Sequence, residues 1–148
     1  MDPKSLSADF RDFLKSLNDH GVEYLLIGGH AVAYYGYVRP TQDMDVWIAG
    51  NPQNAQRMVE AVEAFFGCNL EGLSPEWFLD SEQVIRFGVR PNLILTKIDG
   101  GEFGRAYTAK VVGELEGVSV NIISLADLKK SKLASGRNKD LADLDNLP

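Results

Sequence analysis

Asp43-Met44-Asp45 is where residue type and spacing in this sequence point most directly to chemistry. Residues two apart on a strand project from one face, so the two carboxylates would stand roughly 7 Å apart on a shared side. Like charges at that separation favour a cation between them, and hard cations such as magnesium take oxygen ligands. The plainer alternative is that one aspartate caps a helix or pairs with Arg39. Upstream, Gly28-Gly29 ends an apolar run. Glycines there permit close backbone approach, and a helix starting there would favour phosphate, although such a pair is also an ordinary turn. His30 follows directly, as a phosphate donor or as a capping and packing residue. Lys129, Lys130, Lys132, Arg137 and Lys139 fall in one segment without an acidic residue. That segment reads either as a contact for phosphates or an acceptor, or as a solvated helical face.

The elements that must position these groups follow from periodicity. Leu6, Phe10, Phe13, Leu14 and Leu17 predict a first helix, stopped at His20-Gly21. Tyr24 to Ile27 reads as a strand, His30 to Tyr35 as a short helix, and Asp43 to Ile48 as a second strand with Asp43, Asp45 and Trp47 on one face. Trp47 could stack on a base, but its bulk suits core packing. Asn51 and Pro52 predict the start of a helix whose buried stripe runs from Ala55 to Phe66 and closes at Gly67. Ser74-Pro75 opens a helical turn through Leu79, and Val84 to Val89 with Leu93 to Thr96 read as a hairpin. Val118, Val120 and Ile122 alternate as a last strand. Ser124 and Asp127 make a capping box for a helix from Leu125 to Leu133, and a final helix spans about Asn138 to Leu147.

This order of elements predicts one mixed-sheet α/β domain, α+β-like, over residues 1–148. The single cysteine, Cys68, rules out an intrachain disulfide, so a reducing cytoplasm is the expected setting. No apolar run approaches the roughly 20 residues that cross a bilayer, so no membrane is expected. The net charge of −6 opposes a broad, nonspecific grip on nucleic acid and leaves only local contacts.

A strand ending in Gly-Gly, a short helix, and then Asp-x-Asp among apolar residues resembles the DNA polymerase β-like nucleotidyltransferase superfamily. Arg39-Pro40-Thr41-Gln42-Asp43-Met44-Asp45 looks like its small bacterial branch, which includes abortive-infection AbiEii-type and minimal nucleotidyltransferase members. Ile98-Asp99-Gly100-x-Glu102-Phe103, Ser124-Leu125-x-Asp127-Leu128 and Lys132-x-x-Ser135-Gly136-Arg137-x-Lys139-Asp140 extend the resemblance over roughly residues 22 to 147. It implies a nucleotidyltransferase-type fold, a mixed sheet flanked by helices. It also implies Mg2+-dependent transfer of a nucleoside monophosphate from a nucleoside triphosphate to a hydroxyl of RNA, such as transfer RNA, or of a partner protein. A toxin–antitoxin or phage-defence setting goes with it. The resemblance assigns Gly28 and Gly29 to the phosphates and Asp43 and Asp45 to a two-ion magnesium site. Arg39 would pair with the phosphates or with Asp43, and Thr41 would orient either group.

One position departs from that pattern. The third acid of the similar proteins comes just before an Ile-Leu-Thr run, and here Leu93 precedes Ile94-Leu95-Thr96. The two-ion site is then incomplete unless Asn92, or Asp99 on a chain that folds back, replaces it. The alternative function is a catalytically degenerate module that binds nucleotide or supports a toxin–antitoxin complex.

Overall fold

The computed structural model describes residues 8–39, 43–79, 85–87 and 92–148, with backbone alone at positions 87, 92 and 93. Leu6, Thr41, Val84, Val89 and the loop residues Arg90 and Pro91 lie outside these.

The chain folds as a mixed α/β domain. Helix α1 (Ala8–Asp19) buries Phe10, Phe13, Leu14 and Leu17 and ends at Gly21, whose φ of +67° suits a residue without Cβ. Strand β1 (Tyr24–Ile27) is buried along its length and leads into the short helix α2 (Gly28–Tyr34). Strand β2 (Met44–Ile48) carries Asp45. Helix α3 (Pro52–Phe66) begins where the Asn51 side chain accepts from the Asn54 N–H at 2.9 Å, and it closes on Gly67 in the left-handed region. A 3-10 turn at Pro75–Phe78 precedes β3 (Ile85–Phe87) and β4 (Asn92–Leu95), an antiparallel pair as the hairpin reading predicts.

Two elements escape the periodicity, α4 (Phe103–Thr108) and β5 (Val111–Leu115). Strand β6 (Val118–Ile122) and helices α5 (Leu125–Ser135) and α6 (Asn138–Asn146) complete the chain. At the start of α5, the Ser124 hydroxyl accepts from the Asp127 N–H at 3.2 Å and donates to its carboxylate at 3.0 Å. The sheet order is β3-β4-β2-β1-β6-β5. β1 runs antiparallel to β2, with Ile27 opposite Asp45, and parallel to β6. β2 runs parallel to β4, with Asp45 beside position 93. Among the described residues no helix is long and apolar enough to cross a membrane.

Asn54, 1% exposed, ties three of these elements together. Its carbonyl accepts from the Glu23 N–H at 2.8 Å, and its amide donates to Glu23 O at 3.1 Å and Ala49 O at 2.9 Å. The start of α3 is thereby locked to the entry of β1 and the exit of β2. Asn54→Ala removes the partner of the Glu23 N–H and of the buried Ala49 O, while Glu23 O keeps the Ala49 N–H, and should lower the unfolding free energy by about 2–3 kcal/mol. Urea denaturation that finds a loss well under 1 kcal/mol, on the order of a surface substitution, would show the lock to be dispensable.

Candidate functional site

Asp45 owes its position to the β1–β2 register. Its backbone faces Ile27, the last residue of β1, so its side chain lies over the next residue, Gly28. Gly28 has φ +69°, and a Cβ added there would stand 2.9 Å from Cγ and 3.0 Å from Cβ of Asp45. Glycine is required at this position on both counts. α2 spans only seven residues, so the glycine turn acts through this close approach rather than through a helix dipole.

Asp45 is half-buried, and its Oδ1 is buried with no hydrogen-bond partner among the described residues. Burial raises its pKa above the usual carboxylate value. The charge of Asp43 adds to the rise, and Lys139, Lys132 and Arg39 oppose it. Asp43 stands half-buried just before β2.

A cleft of about 540 Å³ opens over Gly28, Gly29 and Asp45. Six cationic side chains line it: Arg39, Arg86, Lys97, Lys132, Arg137 and Lys139. Asp99 also lines it, because the turn after β4 folds back against α5. There Gly100, at φ +69°, packs so tightly that a Cβ would stand 2.7 Å from Ala134 Cβ and 3.1 Å from Lys130 O.

The basic segment reaches the cleft through two acids of α6. Asp140 and Asp143 are three apart on one helical face, and each is 1% exposed. Lys132 Nζ lies 3.2 Å from Asp140 and 2.9 Å from Asp143. Arg39 donates to both oxygens of Asp143, from Nε at 2.8 Å and Nη2 at 3.0 Å. Arg137 Nε donates to Asp140 at 2.9 Å, and the Ser135 hydroxyl donates to the same oxygen. Burial alone would raise both acids. For Asp140 the hydrogen bonds from Ser135, Arg137 and Lys132 outweigh burial and hold its pKa at about 2. For Asp143, Arg39 and Lys132 likewise win, and its pKa is lowered.

Of the residues singled out from sequence, one cleft gathers Gly28, Gly29, Arg39, Asp45, Lys132, Arg137 and Lys139. Several roles change. Arg39 pairs with Asp143, not Asp43, because the α6 carboxylate offers a buried bidentate partner. Lys132 is 7% exposed and committed to two carboxylates, so it belongs to the scaffold of the wall rather than to a solvated face. His30 does not line the cleft. Its ring meets Phe10 edge to face at 5.4 Å, and burial lowers its pKa. Trp47 is 1% exposed and packs edge to face on Phe103. Thr41 lies outside the described residues. The sequence reading missed Arg86 and Lys97 as wall residues, and it missed the pairing role of Asp140 and Asp143, whose i, i+3 spacing on a predicted helix was the available signal.

Among the described residues no cluster of three or more His, Cys, Asp or Glu side chains is assembled to hold a metal ion. The chain matches no model of a known protein family, and no curated protein matches it in sequence.

The network carries a pH dependence whose sign is fixed. Asp140 and Asp143 titrate lower in the folded state than in the unfolded chain, so falling pH protonates the unfolded chain first. The stability they contribute is present above the ordinary value of 3.8 and is lost, for Asp140, as pH falls through about 2. Asp140→Asn should lower Tm at pH 6 and narrow its gap to the parent as pH falls toward 2. Melting curves that stay parallel across that range would remove Asp140 from this role.

Proposed function

We propose that this chain binds a magnesium nucleoside triphosphate in the cleft over Gly28, Gly29 and Asp45 and transfers its nucleoside monophosphate to a hydroxyl of an RNA, such as transfer RNA, or of a partner protein. The observation that carries this reading is Asp45. A half-buried carboxylate with a raised pKa and a buried Oδ1, partnerless among the described residues, lines a cleft with six cations, and the charge of Asp43, which does not itself line that cleft, acts on it. A desolvated oxygen of this kind fits a hard cation, which would satisfy it and relieve the repulsion from Asp43.

Arg137, Lys139, Lys97 and Arg86 supply charge for the phosphate oxygens, while Gly28 and Gly29 let the chain approach them closely. Magnesium held by Asp43 and Asp45 would neutralise the phosphates and acidify the attacking hydroxyl. In the transfer, the acceptor oxygen bonds to the α-phosphorus as the bond from that phosphorus to the bridging oxygen breaks. Pyrophosphate departs with the electron pair, and the hydroxyl proton leaves to solvent or to a carboxylate of the cleft. Besides Asp45, the acids that line this cleft are Asp99 and the ion-paired Asp140. A toxin–antitoxin or phage-defence setting rests on the sequence resemblance alone.

Asp43→Asn with Asp45→Asn should weaken magnesium-dependent triphosphate binding by on the order of 100-fold, about 2.7 kcal/mol. Calorimetry giving unchanged magnesium-dependent affinity in the folded double variant would sink the assignment.

The β2–β4 register favours a second reading, a nucleotide-binding module with little or no transfer. Position 93 stands beside Asp45 in the parallel pair and holds leucine where an acid would complete the site. If transfer is limited by that gap, Leu93→Asp should raise the transfer rate at limiting magnesium, and Leu93→Asn should not. Magnesium should also raise the melting temperature of Leu93→Asp more than that of the parent. A variant that is only destabilised, with neither magnesium-linked recovery nor added transfer, counts against a role for position 93.

A further inference from the structure

Trp47 lies two residues beyond Asp45 on β2, so both side chains belong to one face of the strand, roughly 7 Å apart. The indole packs on Phe103 with ring centres 5.2 Å apart, and Phe103 stacks on Tyr107. Its Nε1 is buried and has no hydrogen-bond partner among the described residues, although a buried indole N–H usually finds one. Trp47 borders a second cleft of about 300 Å³, near the lower end of the range for small-molecule sites, about 300–1,000 Å³. Ile98 and Ile123 line both clefts, so the two adjoin. Gly101 keeps the loop after β4 tight on this wall, since a Cβ there would stand 3.0 Å from Trp47 Cη2 and 3.0 Å from Ile98 Cγ1.

The two clefts differ in charge. The first sets six cations against the acids Asp45, Asp99 and Asp140, an excess that suits a polyanion. The second sets Arg105 and Lys130 against Glu102 and Asp127, a balance that suits a neutral polar group. Asp127 and Lys130 are three apart on α5 and therefore neighbours, an acceptor beside a donor. Nucleobase edges display the complement of that pair, and a base can also lie against an aromatic wall.

We infer that the second cleft seats the base of the nucleotide whose phosphates occupy the first. The inference rests on the phosphate reading of the larger cleft. It makes Asp127 and Lys130 the residues that discriminate among bases, and it makes Trp47 a reporter of occupancy.

The test uses the full chain in a Trp77→Phe background, which leaves Trp47 as the single tryptophan. Magnesium tripolyphosphate probes the first cleft alone, and the four magnesium nucleoside triphosphates probe both. At least one nucleotide should bind roughly tenfold or more tighter than tripolyphosphate and should change Trp47 emission, while tripolyphosphate leaves the emission unchanged. Lys130→Ala and Asp127→Asn should erase the differences among the four bases and leave tripolyphosphate affinity as it was; Asn can still accept from Ser124. If tripolyphosphate binds but all four nucleotides bind no tighter, with silent Trp47 emission, the base subsite is overturned and the phosphate reading stands. If tripolyphosphate does not bind, the phosphate reading falls and the subsite falls with it.

Discussion

The arrangement around the cleft depends on two buried carboxylates, Asp140 and Asp143, and the three cations they hold. α5 buries Leu128 and Lys132 while Leu133 on the same helix is 68% exposed, so apolar burial alone gives the α5–α6 pair a weak hold on the sheet. The ion network supplies the orientation. Lys132 joins the two helices, Arg39 joins α6 to the segment entering β2, and Arg137 caps the arrangement from the turn between α5 and α6. Buried pairs of this kind fix geometry more reliably than they add net stability, since desolvation offsets much of their attraction. Their value here lies in geometry: the segment from Lys132 to Lys139 is held across from Asp45.

A second constraint works on a smaller scale and meets the first at Asp45. The β1–β2 register sets Asp45 over Gly28, and the glycine makes room for a half-buried carboxylate with one buried oxygen that has no hydrogen-bond partner among the described residues. Lys132 and Arg39 act on that carboxylate from a distance, lowering its pKa against the opposing effects of burial and Asp43. The network that positions the wall therefore also adjusts the charge state of the floor.

The parts of this design legible in the sequence were those with local causes. Asn51, Pro52 and Gly67 announce α3, and Ser124 with Asp127 announces α5, because capping is a short-range interaction. What escaped had distant or weak causes. β5 is an edge strand interrupted by Gly113, where a Cβ would stand 2.9 Å from both Ile122 Cδ1 and Tyr34 Oη, so the glycine answers contacts outside its own strand. α4 has six residues and a glycine in its first turn, too short for a 3.6-residue period to emerge. Arg39 finds its partner 104 positions away, and no local rule could have chosen Asp143 over Asp43.

The acidity of the whole chain then ceases to conflict with a polyanion in the cleft. At physiological ionic strength the Debye length is about 8 Å, so exposed acids farther than that from the site are largely screened from it. A phosphate bound there, as proposed, would experience the local excess of Arg86, Lys97 and Lys139 together with the partly neutralised Arg39, Lys132 and Arg137. Asp140 and Asp143 set the size of that excess as well as its place. They leave the wall with a net cationic excess, yet keep Lys132 and Arg39 paired. In the adjoining cleft, where Glu102 and Asp127 balance Arg105 and Lys130, no comparable excess remains. For the base proposed to sit there, recognition would fall to hydrogen-bond pattern and aromatic contact, the interactions that distinguish one neutral ring from another.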